Sequence, residues 1–273
     1  MPPPLSSVLC APETKPQLEG GSPANRAILV IPCYNEAENL DLDHYESFAL
    51  GGETDLLFVD DGSTDRTPEL LAELEGRAPE RIEVTTMSAN AGKAEAVRHG
   101  VQRCLTRQPA FFGYWDADLA TPLDELPRFR EILDVNPALL LVMGSRVKLL
   151  GRTIDRKTLR HYGGRVFATL ASMMLGLPVY DTQCGAKLFR SSRETRALFD
   201  EPFLTGWTFD CELLARLVRA RRDSGGPPAE QSVYEMPLRS WRDVGRSNVG
   251  AADFFHSIVE LARIRRHYLA RER

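Results

Sequence analysis

Neither glycine cradle that ordinarily holds nucleotide phosphates occurs in this chain. GxGxxG and GxxxxGK[ST] are both absent, which removes the dinucleotide-fingerprint and P-loop readings. Cysteine is sparse and scattered: Cys10, Cys33, Cys104, Cys184 and Cys211, with no CxxC pair. That excludes a disulfide framework and a zinc knuckle, and it fits a reducing cytoplasm. Basic charge is not in excess, the formal net charge being −4, so no global field argues for nucleic acid. The longest uncharged run, Val166 to Tyr180, is short of a membrane span and is broken by Gly176 and Pro178. It is too short and too interrupted to cross a bilayer. No apolar h-region accompanies the opening prolines, so no signal peptide is read.

What remains is 273 residues of ordinary globular composition, 43% hydrophobic and 26% charged, long enough to bury a sizeable core. Six prolines (Pro2, Pro3, Pro4, Pro12, Pro16, Pro23) punctuate residues 1–25, which read as a flexible tail. Ala27 to Ile31 is then a continuous apolar run of the kind a parallel sheet buries on both faces. Pro32 ends it, Cys33-Tyr34-Asn35-Glu36 forms a loop, and Asn35 or a neighbour is placed to cap a helix running on from Glu36. Leu56 to Val59 is a second strand, followed by Asp60-Asp61-Gly62-Ser63-Thr64-Asp65 and a helix through Leu74. Ile82 to Met87 is a third strand, and Asn90-Ala91-Gly92-Lys93 opens a helix to about Arg107.

The fourth strand is aromatic, Phe111-Phe112-Gly113-Tyr114-Trp115, and it stops at Asp116-Ala117-Asp118. Carboxylates spaced i, i+2 project to one side of an extended chain. They stand at a strand's carboxyl end, where open α/β sheets bind ligands. Two hard oxygen donors suit Mg²⁺ or Mn²⁺, which in turn holds a diphosphate. A capping or solvating role is the alternative for such a pair. A helix around Asp124 to Asn136 and a strand from Ala138 to Met143, ending in Gly144-Ser145-Arg146, complete this half. Alternating strands and helices predict right-handed crossovers and a mostly parallel sheet.

The second half is less regular. Helices are expected over Leu159 to Leu175 and Phe209 to Arg222, with a late strand from Ser232 to Leu238. Ala251 to Leu269 is amphipathic with a basic end. From Arg246 to Arg273 six arginines face three acids, Asp253, Glu260 and Glu272. Such a helix either lies on an anionic membrane surface or packs on its own domain. The expected division is a tail over 1–25, one domain over 26–245 and this helix over 246–273.

Four strand ends, Pro32 to Glu36, Val59 to Ser63, Asn90 to Lys93 and Asp116 to Asp118, together resemble the nucleotide-binding half of the family 2 glycosyltransferases, which have the GT-A fold. Asp181-Thr182-Gln183-Cys184-Gly185-Ala186-Lys187-Leu188-Phe189, Trp207 to Leu214 and Trp241 to Ser247 are similar to the branch that acts on dolichyl and polyprenyl phosphates. The resemblance spans roughly residues 26–250. It implies a single α/β domain with a Rossmann-like, mostly parallel sheet, and an inverting, metal-dependent transfer from a nucleotide sugar.

The resemblance also implies roles. Pro32, Tyr34 and Glu36 would line the nucleobase pocket, with Asp60 accepting a hydrogen bond from the base and Asp61 supporting the loop. Lys93 would meet the base or phosphates, in a first helical turn where the dipole disfavours a cation unless an anion is near. Asp116 would contact ribose and metal, and Asp118 the metal, with Arg242 or Arg246 helping to neutralise the diphosphate. Asn248 stands where some relatives have a lysine, and Ala120 where some have a glutamine ligand, so the third metal ligand is open. Arg146 and Arg160 match arginines that hold the acceptor phosphate, as a guanidinium fork does. A lipid phosphate needs no general base, whereas a hydroxyl does; Asp181 and Asp210 are the two candidates.

The leading reading is transfer of a hexose, glucose from UDP-glucose, onto a polyprenyl phosphate at the cytoplasmic side of a membrane. The second is a cytoplasmic glycosyltransferase with a soluble acceptor. The third is an inactive nucleotide-sugar-binding module, against which the intact Asp60, Asp116, Asp118 and Arg146 argue.

Overall fold

The computed structural model of the protein describes residues 26–155, 158–244 and 251–270. The expected tail, Arg246 and Asn248 lie outside the described residues. Strands β1 (Ala27–Cys33), β2 (Thr54–Asp60), β3 (Ile82–Thr86) and β4 (Phe111–Trp115) alternate with α1 (Leu42–Gly51), α2 (Thr67–Arg77) and α3 (Lys93–Leu105). The chain continues through α4 (Leu126–Val135), β5 (Leu141–Ser145), β6 (Thr153–Asp155), α5 (Thr158–Leu175), β7 (Ala186–Arg190) and α6 (Arg193–Ala197). It ends in α7 (Phe209–Ser224), β8 (Val233–Pro237), β9 (Ser240–Arg242) and α8 (Ala251–Ile264).

Seven strands form one sheet in the order β3-β2-β1-β4-β7-β5-β8, and β6 pairs with β9 in a second, small one. The main sheet is parallel except for β7, which runs against both β4 and β5. This is the mostly parallel, helix-flanked sheet expected from the alternation of runs. β1 has β2 on one side and β4 on the other, so the chain changes direction of travel there. A crevice opens beyond the carboxyl ends at such a switch point.

Alternation along the strands divides the core between the two faces. Leu29, Ile31, Phe58 and Trp115 pack with α1, α2 and α4 on one face. Val30, Val59, Phe112 and Tyr114 pack with α3, α5 and α7 on the other. Both faces are buried, which is why β1 and β2 are apolar without interruption.

Two local expectations change. No helix starts at Glu36: α1 begins at Leu42, with Asp41 Oδ1 accepting from His44 N at 3.0 Å. Asn35 takes a left-handed φ of 53° and turns its side chain to Thr64 N at 2.8 Å, so it pins a neighbouring loop instead of capping. β7 is a strand beyond those expected, and its second residue is a lysine, Lys187. The strand fits because Gly113 opposite it has no side chain: a Cβ there would lie 2.1 Å from the Lys187 carbonyl oxygen.

Candidate active site

Three strand-end loops are fastened into one wall. Asn35 N donates to Ser63 Oγ at 3.0 Å and Glu36 N to Thr67 Oγ1 at 2.8 Å. Asp61 accepts from Ala91 N and Gly92 N, both at 2.8 Å. Gly62, with φ of 67°, sits where a Cβ would come within 2.8 Å of the Ala89–Asn90 backbone. Left-handed backbone and close approach together call for glycine here.

The loop after β4 is fixed just as firmly. Tyr45 Oη donates to Ala117 O at 3.0 Å, Trp115 Nε1 to Thr121 O at 2.7 Å, and Arg242 N to Ala120 O at 3.0 Å. Alternation places Asp116 on the same face as Tyr114, toward α3, where Lys93 closes an ion pair with it. Asp118 folds back to accept from Ala120 N at 3.0 Å. Burial works against Asp116's charge, but Lys93 outweighs it and holds the carboxyl below its usual range. Asp118 is pushed up, by burial first and by Asp116 second. The pair thus concentrates negative charge, which Lys93 offsets more strongly at Asp116, its ion-pair partner, than at Asp118.

Both carboxylates line a cavity of about 1090 Å³ at the switch point, at the upper end of small-molecule sites. Pro32, Tyr34, Glu36 and Lys93, the residues expected on the donor side, line it. Asp60 does not line it: buried, it accepts from Ser63 N at 3.0 Å, while the next residue, Asp61, faces the wall. The placement differs from the expected base contact because Asp60 is the last paired residue of β2 and its carboxyl serves the turn. Arg242 likewise is exposed and absent from the wall, although Trp241 and Asp243 beside it line the cavity.

On the expected acceptor side, Arg146 directly follows β5 and lines the cavity. It is not a free cation. Its Nε and Nη2 donate to Asp181 Oδ2 and Oδ1 at 2.6 and 2.7 Å, and its backbone N donates to Oδ2 at 3.1 Å. Burial opposes its charge, but Asp181 more than compensates, so the guanidinium is held charged. Nη1 makes no hydrogen bond with the described residues. Arg160 belongs to α5, and its side chain lies outside the described residues.

Asp210 lies in the first turn of α7 and is 3% exposed. Its Oδ1 accepts from Lys187 Nζ at 2.6 Å and from the Tyr114 hydroxyl. Lys187 is itself fully buried and also donates to Thr182 O at 3.0 Å and Cys184 O at 2.7 Å. A buried ammonium keeps its charge only with such a set of partners. The sequence reading missed Lys187, whose signal was a lysine inside an apolar run. It also missed the cavity's apolar side, made by Gly164, Phe167 and Ala168 of α5, Trp207, and Phe254 of α8. Apart from Trp207, which opens one of the quoted motifs, these residues come from segments without catalytic spacing, so only the fold brings them to the site.

As a cation site the loop fits in part. Asp116 and Asp118 supply hard oxygens on one cavity wall, and among the described residues there is no cluster of three protein ligands. That donor set suits a divalent ion shared with a diphosphate and water rather than one caged by protein.

A mostly parallel sheet whose switch-point crevice ends in an Asp-x-Asp pair is the frame of the GT-A glycosyltransferases. The model described as glycosyl transferase family 2 matches residues 28–194. The chain belongs to that family and is a nucleotide-sugar-dependent glycosyltransferase. Over 255 residues it is 28% identical to the dolichyl-phosphate beta-glucosyltransferase of Trichomonas vaginalis, covering 88% of this chain and 71% of that one. It is 26% identical over 241 residues to the polyprenol monophosphomannose synthase of Mycolicibacterium smegmatis, covering 88% and 87%. Among solved structures, glucosyl-3-phosphoglycerate synthase from Mycobacterium tuberculosis, in complex with Mn²⁺ and UDP-glucose, matches with a TM-score of 0.61 and 19% identity over 88% of this chain and 79% of that one. A mannosyltransferase from Pyrobaculum calidifontis in complex with GDP-Man and Mn²⁺ matches with a TM-score of 0.55 and 19% identity over 94% and 70%. These two structural likenesses speak for the fold.

Proposed function

We propose that this protein transfers a hexose from a UDP-sugar to a polyprenyl phosphate in one in-line, inverting displacement. The observation that carries the reading is that the two carboxylates offered as general bases are both paired with cations, Asp181 with Arg146 and Asp210 with Lys187. A hydroxyl acceptor needs a carboxylate or imidazole to take its proton; a phosphate monoester does not. The sequence relatives named for dolichyl-phosphate and polyprenol-phosphate products support the same acceptor.

In this reading Pro32, Tyr34 and Glu36 receive the base, and Lys93 lies beside the diphosphate. Asp116 and Asp118 would hold Mg²⁺ or Mn²⁺, which when bound neutralises charge on the departing diphosphate. Arg146 turns Nη1 to the acceptor phosphate while Asp181 fixes its plane, and the apolar wall at Phe167 and Phe254 receives the first isoprene units. A phosphate oxygen attacks the anomeric carbon from the face opposite UDP. The carbon–oxygen bond to the diphosphate breaks, UDP leaves with the electron pair, and no proton moves.

No helix among the described residues is long and apolar enough to cross a membrane. Peripheral contact fits instead. Val166, Leu170 and Met173, spaced i, i+4, i+7 on α5, are exposed, as are Phe255 and Val259 on α8. No exposed residue between positions 163 and 178 is charged, and Arg263, Arg265 and Arg266 are exposed beyond them in the chain. Apolar stripes beside arginines suit an anionic membrane surface.

The test is a panel of UDP- and GDP-sugars with Mg²⁺ and with Mn²⁺, scored for transfer to a short polyprenyl phosphate, to soluble sugars and to water. Transfer to the phosphate is the expected result. Transfer to a sugar hydroxyl alone would replace this acceptor with a soluble one.

A further inference from the structure

Asp210 is held in an unusual way. Both of its protein donors, Lys187 Nζ at 2.6 Å and the Tyr114 hydroxyl, converge on Oδ1. Oδ2 makes no hydrogen bond with the described residues, yet it is not among the sealed, unpartnered polar atoms of the interior. The residue is 3% exposed and lines the cavity, so Oδ2 opens onto that cavity. A carboxylate oxygen taken out of bulk water is costly unless something donates to it.

Rotation cannot relieve this. Turning the carboxylate to bring Oδ2 inward would only exchange the two oxygens, because the Lys187 ammonium is fixed by two carbonyls, Thr182 O and Cys184 O. Tyr114 is locked in turn, buried in the strand between Phe189 and Phe209. The open oxygen therefore has a set position at the start of α7, on the same face of the sheet as Asp116 and Lys93.

What the acid could do divides two ways. As a general base it would take a proton from an acceptor hydroxyl. Oδ1 is already held by a buried ammonium and a tyrosine hydroxyl, which fixes the plane of the carboxylate and sets Oδ2 as a hydrogen-bond acceptor facing the cavity. We infer that Asp210 Oδ2 accepts a hydrogen bond from a hydroxyl of the sugar being transferred. Asp210 is thus a donor-specificity residue, and Lys187 and Tyr114 position it. This deepens the function proposed above and rests on it: a sugar linked to a diphosphate at Asp116 and Lys93 extends into the part of the cavity that Asp210 faces.

The chemistry sets the size of the effect. Hydrogen bonds to a charged group contribute ~1.5–3 kcal/mol, which converts to a roughly 10- to 100-fold preference for a donor that keeps the hydroxyl. The experiment uses the full-length wild-type protein with the active parent UDP-hexose and its singly deoxygenated analogues, with short polyprenyl phosphate as acceptor. UDP affinity is measured by calorimetry alongside. The expected result is a loss of about that size in kcat/KM for one deoxy donor, while the others stay near the parent and UDP affinity is unchanged. In Asp210→Asn, which keeps the shape and an oxygen acceptor but loses the charge, the gap between that analogue and the parent narrows. The pH profile of kcat stays the same shape.

A deoxy series that is flat in the wild type overturns the inference, whatever the variant does. So does an Asp210→Asn enzyme that slows equally with every donor and loses a pH-dependent limb, which is the behaviour of a base. If neither UDP binding nor transfer from any UDP-sugar is seen, the proposed function falls and takes the inference with it. Intact transfer with a flat series removes the inference alone.

Discussion

Gly185→Ala is the change that most sharply tests how the carboxylate pair is held. Gly185 lies directly against the Asp116 side chain: a Cβ built on it would stand 1.9 Å from Oδ2, 2.1 Å from Cγ and 2.2 Å from Oδ1. Ordinary contact begins at 3.4 Å, so the carboxylate has to retreat by about 1.5 Å, the difference between 3.4 and 1.9 Å. The side chain rather than the backbone yields, because it is the moveable partner. Retreat carries Asp116 away from Lys93 and out of register with Asp118. A displacement of ~1 Å in a catalytic constellation costs about 10²-fold in rate, or about 2.7 kcal/mol of barrier. The stability cost is far smaller, since a part-exposed ion pair contributes under ~1 kcal/mol. The assay is steady-state transfer from the UDP-sugar together with a thermal melt. Expected is a fall in kcat/KM of about two orders of magnitude with the melt little changed. Gly206→Ala is the control, because that glycine also lines the cavity but a Cβ there meets nothing within 4 Å. A Gly185→Ala enzyme with wild-type kcat/KM would refute the claim that Asp116's position matters to turnover.

Further outcomes follow from the same geometry. Lys187→Met leaves Asp210 buried without its ammonium, and loss of one partner of a buried pair costs about 3–5 kcal/mol; a denaturant titration reads this as a lowered midpoint with unchanged slope. Arg146→Ala raises the acceptor KM or lowers kcat while UDP affinity holds, and weakened UDP binding instead would put Arg146 on the donor side. Replacing Val166, Leu170 and Met173 together by aspartate abolishes cosedimentation with anionic liposomes while transfer to a short, soluble polyprenyl phosphate persists. Unchanged cosedimentation would remove α5 from the membrane face.

Much of the fold was legible because its signals are local. Uninterrupted apolar runs at Ala27 to Ile31 and Leu56 to Val59 could only be strands buried on both faces, and their ends could only gather on one edge of a parallel sheet. The i, i+2 spacing of Asp116 and Asp118 pointed to one shared site, and both line the cavity, although a turn after β4 rather than an extended strand carries them there. What escaped depends on partners far away in sequence. β7 exists because Gly113 admits its backbone, and Lys187 tolerates burial because Asp210, Thr182 and Cys184 converge on it. Asp60 and Asp61 are adjacent, so their spacing could say that one faces inward but not which one the turn at Ser63 would claim. The commitment of Arg146 to Asp181 is invisible to spacing for the same reason: 35 residues separate the two.

In the proposed function, strand-end carboxylates grip a nucleoside diphosphate through a divalent cation. The most direct test of that grip is Mn²⁺ titration of the protein by electron paramagnetic resonance with UDP present, for the wild type and for Asp118→Asn. The wild type is expected to bind the ion more tightly once UDP is added, and Asp118→Asn to lose that linkage together with transfer, while keeping the wild-type thermal melt. Undiminished Mn²⁺ binding by Asp118→Asn, or full turnover by that variant in a chelator, would contradict it.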